Sequence, residues 1–387
     1  MNWVALRLGD VIDIKHGFAF KGEHFANSGE YILLSPGNCH ESGGIKLRGE
    51  KEKYYAGEIP PEFILEQGAL LVVMTDLVGT APVLGGSFVV PESNRFLHNQ
   101  RLGLIEVTDA ARIDRGFLYY LLNTHDYRAQ VRGSASGATV RHTSPGRIRD
   151  VVLRIPADTS SQRQIAQSLA AYDDLIDNNR RRIKLLEDSV RLLFDEWFVR
   201  LRFPGHAPSA NISGVPAGWS KVALDEVLLL QRGFDLPSQD RDAGDVPIYG
   251  STGIVGLHNK AKVTGPGLVT GRSGTLGEVH FVAQDFWPLN TALWVKEFKR
   301  ATPLFAMHLL RGMNLGQYNG GVSVPTLDRK VVHKAEVLLP AAPIIARFES
   351  TADDVYRQIY TLTDMNHKLR AARDLLLPRL MSGELTV

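Results

Sequence analysis

Cysteine is almost absent from this chain of 387 residues, in which Cys39 is the single one. One thiol excludes a disulfide framework and a zinc site built from several thiolates, and it suits a reducing compartment. The first residues lack a basic segment followed by a long apolar run, so no secretory signal is predicted. No stretch approaches the ~18 uninterrupted apolar residues that span a bilayer. We therefore expect a cytoplasmic protein without membrane contact.

An excess of either charge is also missing, since the formal net charge is +2. A nearly neutral chain can still bind nucleic acid if its basic residues cluster on one face. One basic run lies between residues 141 and 154, and another lies at residues 180–184 on a predicted helix. The first run is equally compatible with a phosphate-facing surface and with a solvated one. The second is more typical of a solvated helix face.

Signatures of catalysis are missing as well. The chain has no Asn-Pro-Pro-Tyr or Asn-Pro-Pro-Phe motif of amino-methyltransferases, no Walker motif and no nucleophile elbow. Its histidines lack metal-ligand spacing. Residues 271–277 are glycine-rich without a surrounding βαβ unit, which favours a loop between strands; the alternative is a loop whose amides approach a DNA phosphate beside Arg272. We expect no catalysis, no metal and no cofactor.

What the chain does contain is an internal repeat. The residues that open the chain recur in its second half at constant spacing, with Trp3, Leu8, Gly17 and Phe18 matched by Trp219, Leu224, Gly233 and Phe234. A second match joins residues 148–156 to 332–340, each a strand pattern that ends in proline. The copies agree at their ends and differ in their middles. Shared frames around divergent centres indicate two readers on one scaffold.

The repeated parts have the patterns of an irregular α+β fold. Apolar segments at residues 31–34, 69–73 and 88–90 are bounded by turn residues, which predicts short strands. A short buried helix is predicted at 117–122, with a counterpart at 305–310. Each copy then passes through a glycine-rich stretch to the strand that ends in proline.

Each copy is followed by a long helix. From Ile165 to Trp197, apolar positions alternate spacings of four and three without a break, which is the seam of a coiled coil. A second seam runs from Phe348 to Leu380. Residues 161–164 fit a capping box at the start of the first helix. Pro378 should end or kink the second helix, which makes Leu380 a doubtful member of its seam.

The two seams are the economical partners for each other, because each buried Leu or Ile contributes ~1.5–3 kcal/mol. An antiparallel pairing would bring Asn179 and Asn366 together at its centre, where bonded amides fix register; the alternative is that both are partly solvated irregularities. Helices of ~50 Å would place the folded units at opposite ends, related by a pseudo-two-fold axis. That length is enough to separate half-sites one DNA turn, ~34 Å, apart.

This layout resembles the specificity subunit of Type I restriction–modification systems over essentially the whole chain. The resemblance rests on the duplicated tryptophan–leucine–glycine opening, on the glycine-rich segment, strand and proline (Gly137 to Pro156, Gly321 to Pro340), and on the helix with Leu185, Leu186, Glu187 and Phe194. The family often has a Glu-Gln pair after the proline. Here Ser161-Gln162 and Ala346-Arg347 stand instead, which weakens the match at the helix starts but not the architecture.

The resemblance implies two target-recognition domains, each of which reads half of a split, asymmetric sequence in double-stranded DNA. It implies helices that set the spacing and bind two methyltransferase subunits, a complex that restriction motor subunits then join, and no catalysis by this chain. The domain boundaries that follow are a first target-recognition domain at 1–156, the first long helix at 157–203, a linker at 204–218, a second target-recognition domain at 219–340, and the second helix with a tail at 341–387.

Base recognition needs side chains that make paired contacts, such as Arg to guanine and Asn or Gln to adenine. The loops of the two predicted domains supply such candidates: Asn38, Arg95, His98, Asn99, Gln100, Arg101, Arg132, Arg141 and His142 in the first, and Arg232, Arg241, His258, Lys260, Arg272, Asn290, Asn319 and Ser323 in the second. Asn99 and Asn290 occupy matching places in the repeat, so they could equally be frame residues that hold a turn.

Three other functions remain open from the sequence. The first is an enzyme, a nuclease or methyltransferase with a divergent active site. The second is a tandem scaffold that binds proteins instead of DNA. The third, a close relative of the preferred function, is the recognition subunit of a system with fused cleavage and methylation functions.

Overall fold

A computed structural model of the chain describes residues 2–205, 215–321 and 323–386, so residues 206–214 of the predicted linker lie outside the described residues. The chain divides into two compact units. The first unit comprises Met1–Asn178 and Met365–Val387, and the second comprises Asn179–Asp364.

Both units contain many short strands. The strands of the first unit are β1 (Trp3–Arg7), β2 (Ile12–His16), β3 (Phe25–Ala26), β4 (Tyr31–Leu33), β5 (Tyr54–Tyr55), β6 (Ile64–Leu65), β7 (Leu70–Val73), β8 (Thr75–Asp76), β9 (Ser87–Val89), β10 (Phe96–Leu97), β11 (Leu102–Val107), β12 (Arg141–His142) and β13 (Val152–Pro156). Those of the second are β14 (Ser220–Ala223), β15 (Leu228–Arg232), β16 (Val246–Gly250), β17 (Gly253–His258), β18 (Gly267–Gly271), β19 (Val279–Val282), β20 (Trp287–Pro288), β21 (Ala292–Phe298) and β22 (Glu336–Leu339).

Two helices are much longer than the others. The helices are α1 (Arg115–Leu121), α2 (His125–Ser134), α3 (Pro145–Arg149), α4 (Thr159–Phe194), α5 (Leu224–Val227), α6 (Pro303–Gly312), α7 (Arg329–His333) and α8 (Ala342–Ser382). A π-helical turn, Asp195–Val199, follows α4. Both long helices contribute residues to each of the two units.

The same sheets are built in both units, which confirms the repeat. In the first unit β1 pairs antiparallel with β13, and a second sheet has the order β2-β11-β7-β9. In the second unit β14 pairs antiparallel with β22, and the matching sheet has the order β15-β21-β18-β19. The divergent middles form different sheets, β3-β5-β4-β10-β6 in the first unit and β17-β16-β20 in the second. The shorter second middle thus corresponds to fewer strands among the described residues.

The long helix α4 begins earlier than the sequence predicts. The carboxylate of Asp158 accepts the backbone N–H of Ser161 at 2.7 Å, so the cap is Asp158 and not a box at residues 161–164. Gln162 is completely buried. Its side chain donates to the carbonyl of Pro156 at 2.9 Å and accepts the N–H of Asp114 at 2.7 Å. This glutamine therefore fastens the helix start to β13 and to the residue before α1.

The seams of the two long helices are buried in the cores of the units. In the first unit Ile165 and Leu169 of α4 share a hydrophobic core with Leu380 and Met381 of α8. Helix α8 therefore continues through Pro378 to Ser382 instead of ending there. Proline removes one backbone donor from the ladder, and burial of the two following side chains outweighs that loss. Leu380 is thus a full member of the seam.

The aromatic part of the seam lies in the second unit. Phe348 of α8 is fully buried, with its ring centroid 5.7 Å from that of Phe194 and 6.2 Å from that of Trp197. The last residue of α4 and a residue of the π-helical turn after it thus meet an early residue of α8. In the first unit an earlier residue of α4, Asp173, pairs with a late residue of α8, Arg373. Each unit therefore combines the early part of one long helix with the late part of the other, as the predicted antiparallel pairing requires.

The two seam asparagines are both buried. Asn179 is 5% exposed and Asn366 is 3% exposed, so neither is a solvated irregularity of the heptad pattern. Asn179 belongs to the second unit and Asn366 to the first. Their pairing, and the register that it would set, stays a prediction.

Phe348 is the position where the seam of the second unit is most sensitive. Replacing it with alanine should lower the free energy of unfolding by about 3–5 kcal/mol, because a cavity replaces a fully buried ring. Urea unfolding followed by tryptophan fluorescence measures this, since Trp197 and Trp219 lie in the same core. Leu185→Ala, at a site 69% exposed, is the control and should change stability by no more than about 0.5 kcal/mol. Equal effects of the two substitutions would contradict the described seam.

Candidate nucleic-acid interface

A close backbone contact fixes one loop of the first unit. A Cβ atom on Gly17 would lie 2.2 Å from the carbonyl oxygen of Asn99, so only glycine fits there. The N–H of Phe18 donates to the carbonyl of His98 at 2.9 Å. These contacts hold residues 99–101, three of the predicted DNA-contacting positions, at a fixed place before β11.

The second unit repeats this contact, but the residues that form it differ by one position from those predicted by the sequence alignment of the two copies. A Cβ on Gly233 would lie 2.2 Å from the carbonyl oxygen of Leu289. Phe234 forms its bridge with Leu289, whereas the corresponding bridge of the first unit is with Asn99. Asn99 therefore corresponds to Leu289, and the prediction that it matches Asn290 is wrong by one residue.

A tight hairpin is the second feature that both units share. A Cβ on Gly137 would meet the carbonyl oxygen of Val140 at 2.0 Å, and one on Gly321 would meet that of Val324 at the same distance. Glycine is therefore required in both glycine-rich stretches, because the backbone of each hairpin approaches itself too closely for a Cβ atom to fit. In the first unit the hairpin carries Arg141 and His142.

The hairpin and the fixed loop lie side by side in each unit. The N–H of Met74 donates to the carbonyl of Arg101, and the carbonyl of Met74 accepts the N–H of Thr143, both at 2.9 Å. In the second unit Arg272 makes the same two bonds, to Thr291 at 2.9 Å and from Leu327 at 2.8 Å. Met74 is buried in the first unit. The second unit thus has an arginine where the first has a core methionine.

Six candidates of the first unit are at least partly exposed near these two features. Gln100, Arg101 and His142 are exposed, and Asn99, Arg132 and Arg141 are half-buried. The Nη2 of Arg141 donates to the carbonyl of Arg132 at 2.9 Å. The Nδ1 of His142 lies 3.0 Å from the hydroxyl oxygen of Thr75. These side chains are oriented and accessible, as base or phosphate contacts require.

Arg95 is exposed but lies on a different segment, in the turn before β10. Its guanidinium pairs with the carboxylate of Glu92 at 2.8 Å. An exposed pair of this kind contributes at most about 1 kcal/mol, so it leaves the arginine able to exchange partners. No hydrogen bond among the described residues ties this side chain to the two features above.

Two candidates of the first unit are internal. The amide of Asn38, 1% exposed, donates to a carboxylate oxygen of Glu52 at 2.9 Å and accepts the N–H of Ser35 at 3.0 Å. His98, 2% exposed, has its Nε2 2.9 Å from the carbonyl of Leu102. Burial lowers the pKa of His98 to about 4, against the opposing effect of that hydrogen bond. Both side chains hold loops together.

The second unit has a cleft of about 610 Å³ beside its hairpin, lined by four basic side chains and one carboxylate, that of Asp328. Arg232, Arg272, Arg329 and Lys330 line it. The Nη1 of Arg272 donates to the carbonyl of Asn290 at 2.9 Å, which aims the side chain. Four cations around one cleft form a surface that attracts phosphate groups.

Arg329 and Lys330 are the residues that the sequence interpretation missed. They follow Asp328, whose carboxylate caps α7 by accepting the N–H of Lys330 at 2.9 Å. The corresponding helix of the first unit is α3, and it carries Arg147 of the basic run noted in the sequence. Both short helices carry basic side chains but at different positions, so the repeat alone does not point to Arg329 and Lys330.

The remaining candidates of the second unit are scattered. His258 is 4% exposed, and its Nδ1 accepts the N–H of Asp242 at 3.1 Å. Arg241 donates to the carbonyl of Leu236 at 3.4 Å. The side chain of Asn319 accepts the amides of Gly321 at 2.9 Å and Thr326 at 2.8 Å, so it holds the hairpin. Lys260 and Ser323 are exposed, and Arg232 pairs with Asp235 at 3.7 Å.

The glycine-rich segment 271–277 is a loop between β18 and β19. The amides of Arg272 and Ser273 donate to the carbonyl of Thr291, and that of Gly274 donates to the carbonyl of Pro325. Those three amides are therefore occupied within the unit and do not approach a phosphate. The side chain of Arg272 is the part of this loop that faces the cleft.

Within the described parts of the chain, no group of three or more His, Cys, Asp and Glu side chains has the arrangement of a metal site. Within the same parts, each helix is too short or too polar to cross a membrane.

One α+β frame, built twice, with basic and amide side chains on loops around a tight hairpin, defines a tandem nucleic-acid recognition protein. A family model described as the Type I restriction modification DNA specificity domain matches residues 1–188. The chain is 22% identical, over a 341-residue alignment, to the Type I restriction enzyme MjaIX specificity subunit of Methanocaldococcus jannaschii, and the alignment covers 80% of this chain and 77% of that relative. It is 24% identical, over a 452-residue alignment, to the Type I restriction enzyme EcoBI specificity subunit of Escherichia coli, covering 100% and 86%.

Among solved structures, the S subunit of a Type I restriction–modification system from M. genitalium has the same fold, with a TM-score of 0.57 and 15% identity over 98% of this chain and 96% of that one. The chain belongs to the specificity subunits of Type I restriction–modification systems. Its role is DNA recognition within such a complex, and it is a non-catalytic subunit.

The buried imidazole of His98 predicts a dependence of stability on pH. Because its pKa is lowered in the folded state from about 6.5, the neutral form is favoured there, and stability is lost as pH falls from about 6.5 towards about 4. Between pH 7 and pH 5 this amounts to about 2 kcal/mol. His98→Gln keeps a donor for the carbonyl of Leu102 but cannot titrate. Urea unfolding at both pH values should show a smaller loss for the variant; equal losses would contradict the burial of the neutral ring.

Proposed function

We propose that each unit reads one half of a bipartite, asymmetric sequence in double-stranded DNA. The observation that carries the proposal is the pairing, in both units, of a fixed loop and a tight hairpin around one backbone position, Met74 or Arg272. Phosphate contacts from arginine and lysine position a protein on the duplex, and paired contacts from Arg, Asn and Gln specify bases. Both kinds of side chain occur around this position.

The candidate contact residues of this proposal fall into two groups. In the first unit they are Asn99, Gln100, Arg101, Arg132, Arg141 and His142, with Arg95 as a more distant member. In the second unit they are Arg232, Arg272, Arg329, Lys330, Asn290 and Ser323, with Lys260 and Arg241 outside the cleft. Asn38, His98, His258 and Asn319 act as residues that hold the loops, because their polar atoms are engaged within the unit.

The boundaries of the recognition domains are part of this proposal. We infer target-recognition domains at residues 1–156 and 219–340, joined to helical regions at 157–203 and 341–387, with a linker at 204–218. The helical regions would set the distance between the half-sites. Their exposed side chains would bind two methyltransferase subunits, and restriction subunits would join that complex. Such a complex would act on DNA in the cytoplasm.

Methylation mapping of the assembled complex tests the proposal. The chain is co-expressed with the methyltransferase subunit of its own system in a host without other adenine methylation, and the genome is sequenced for methylated bases. We expect one split motif with two conserved halves and a constant gap. Methylation at a continuous motif, or none that depends on this chain, would contradict the assignment of one half-site to each unit.

Arg272 provides a test within the second unit. Replacing it with alanine should weaken binding of the complex to the half-site of the second unit by about fivefold or more, since a bidentate base contact contributes about 1–3 kcal/mol. Competition binding against DNA changed in one half-site at a time measures this. Arg300→Ala, at an exposed arginine outside the cleft, is the matched control. An equal loss on unrelated DNA, with a salt slope smaller by about one, would identify a phosphate contact instead.

A further inference from the structure

The first unit exposes two adjacent aliphatic side chains at the tip of one loop. Leu77 is 53% exposed and Val78 is 52% exposed. They lie between buried Asp76 and buried Ala81, in the loop that joins β8 to β9. Single exposed aliphatic residues are common, but two in succession on a tight loop leave apolar surface in water at a cost.

Hydrogen bonds from two buried charged side chains hold the backbone of this loop. The carboxylate of Asp76, 2% exposed, accepts the N–H of Val78 at 3.0 Å and that of Val83 at 2.7 Å. The guanidinium of Arg128, 4% exposed, donates to the carbonyls of Leu84 at 2.9 Å and Glu41 at 3.2 Å. Buried charged groups are retained only when they are fully bonded. Two of them fix the backbone of a loop whose tip contributes nothing to the core.

The tip lies beside the basic hairpin of the first unit. Strand β8 pairs with β12, so that Asp76 lies opposite Arg141. A Cβ on Gly79 would lie 3.3 Å from the carbonyl oxygen of Ala138 in the hairpin. On the other side of the hairpin, Arg147 donates to the hydroxyl of Ser136 at 3.1 Å. The apolar tip thus belongs to a loop beside a hairpin that carries Arg141 and contacts Arg147, and such basic residues suit a surface that meets DNA.

The second unit lacks this tip. The matching segment of the second unit, between β18 and β19, spans only residues 272–278, whereas that of the first unit spans residues 74–86. Its one aliphatic residue is Leu276. Leu276 is half-buried and packs on the core of the second unit. The exposed aliphatic pair therefore belongs to what distinguishes the two units, as a specificity element should.

We propose that Leu77 and Val78 are specificity-determining residues that contact a thymine 5-methyl group in the half-site read by the first unit. The inference rests on the proposed function. Leucine and valine side chains cannot hydrogen-bond, and the thymine methyl is the apolar group that base pairs present in the major groove. The neighbouring arginines would contact the phosphate backbone of the same DNA strand. The loop held by Asp76 and Arg128 would place the two aliphatic side chains at the edge of the base.

Uracil substitution in DNA tests this contact directly, because it removes the methyl group and leaves base pairing intact. The complex of the full chain with its methyltransferase partner is titrated with the mapped DNA site, in which each thymine of the first half-site is replaced in turn by uracil. One replacement should weaken binding about fourfold, the contribution of one buried methyl group. The double variant Leu77→Ala, Val78→Ala should bind the thymine and uracil DNAs equally.

Val152→Ala, at a site 48% exposed on β13, is the matched control and should keep the wild-type preference for thymine. Both variants should keep the wild-type unfolding midpoint, since the altered residues are exposed, and full discrimination at the second half-site. Insensitivity of the wild type to every uracil, or an unchanged thymine preference in the double variant, overturns the inference while the proposed function stands. A complex that selects no split sequence overturns both.

Discussion

Burial of the two long helical seams is the interaction on which the rest of the structure depends. Helices α4 and α8 would each expose a continuous row of apolar side chains if they were alone, at ~1.5–3 kcal/mol for every Leu or Ile left in water. Each helix contributes one part of its row of apolar side chains to the core of each unit. Ile165 and Leu380 lie in the core of the first unit, and Phe194 and Phe348 lie in that of the second. Neither unit has a complete core without both helices.

This sharing explains why the frame is repeated so faithfully. The fixed loop of each unit joins a sheet, β2-β11-β7-β9 or β15-β21-β18-β19, that shares a core with the long helices, so small errors in that packing would displace the loop. The repeated part of each unit is therefore held by close contacts in which no larger side chain fits, such as the approach of Gly17 to Asn99 and of Gly233 to Leu289. Polar side chains inside the frame, such as Gln162, have all their bonds within it. Preorganised loops lose less entropy when they bind.

Periodic features of the fold were predictable from the sequence, and features that depend on distant contacts were not. The seam from Ile165 to Trp197 follows from its spacing, because side-chain direction repeats along a helix. The strand at residues 69–73 follows from an apolar run bounded by turn residues. Whether a polar loop residue faces solvent does not follow from spacing. His98 and Gln100 are two residues apart, yet His98 is buried and Gln100 is exposed, because bonds to segments far along the chain decide the direction of the loop.

The same reason limits prediction at helix ends and in the basic cleft. The effect of Pro378 was overestimated because the packing of Leu380 and Met381 is a tertiary contribution that no local rule contains. Arg329 and Lys330 were missed because their short helix carries no strong pattern of its own. A search for base-reading residues in the sequence also favours side chains that hydrogen-bond, and so it passes over aliphatic ones such as Leu77.

Separating frame from reading surface gives a physical basis for changing specificity without loss of the fold. In the first unit the charged groups that fix the loop, Asp76 and Arg128, are buried and bonded, whereas Leu77 and Val78 make no comparable contribution to the core. Substitution of Leu77 or Val78 therefore costs little stability, while substitution of Asp76 or Arg128 leaves buried backbone groups without a hydrogen-bond partner. Residues that can change freely and residues that determine recognition are then the same residues. Specificity in such a unit is free to diverge because its stability is determined elsewhere.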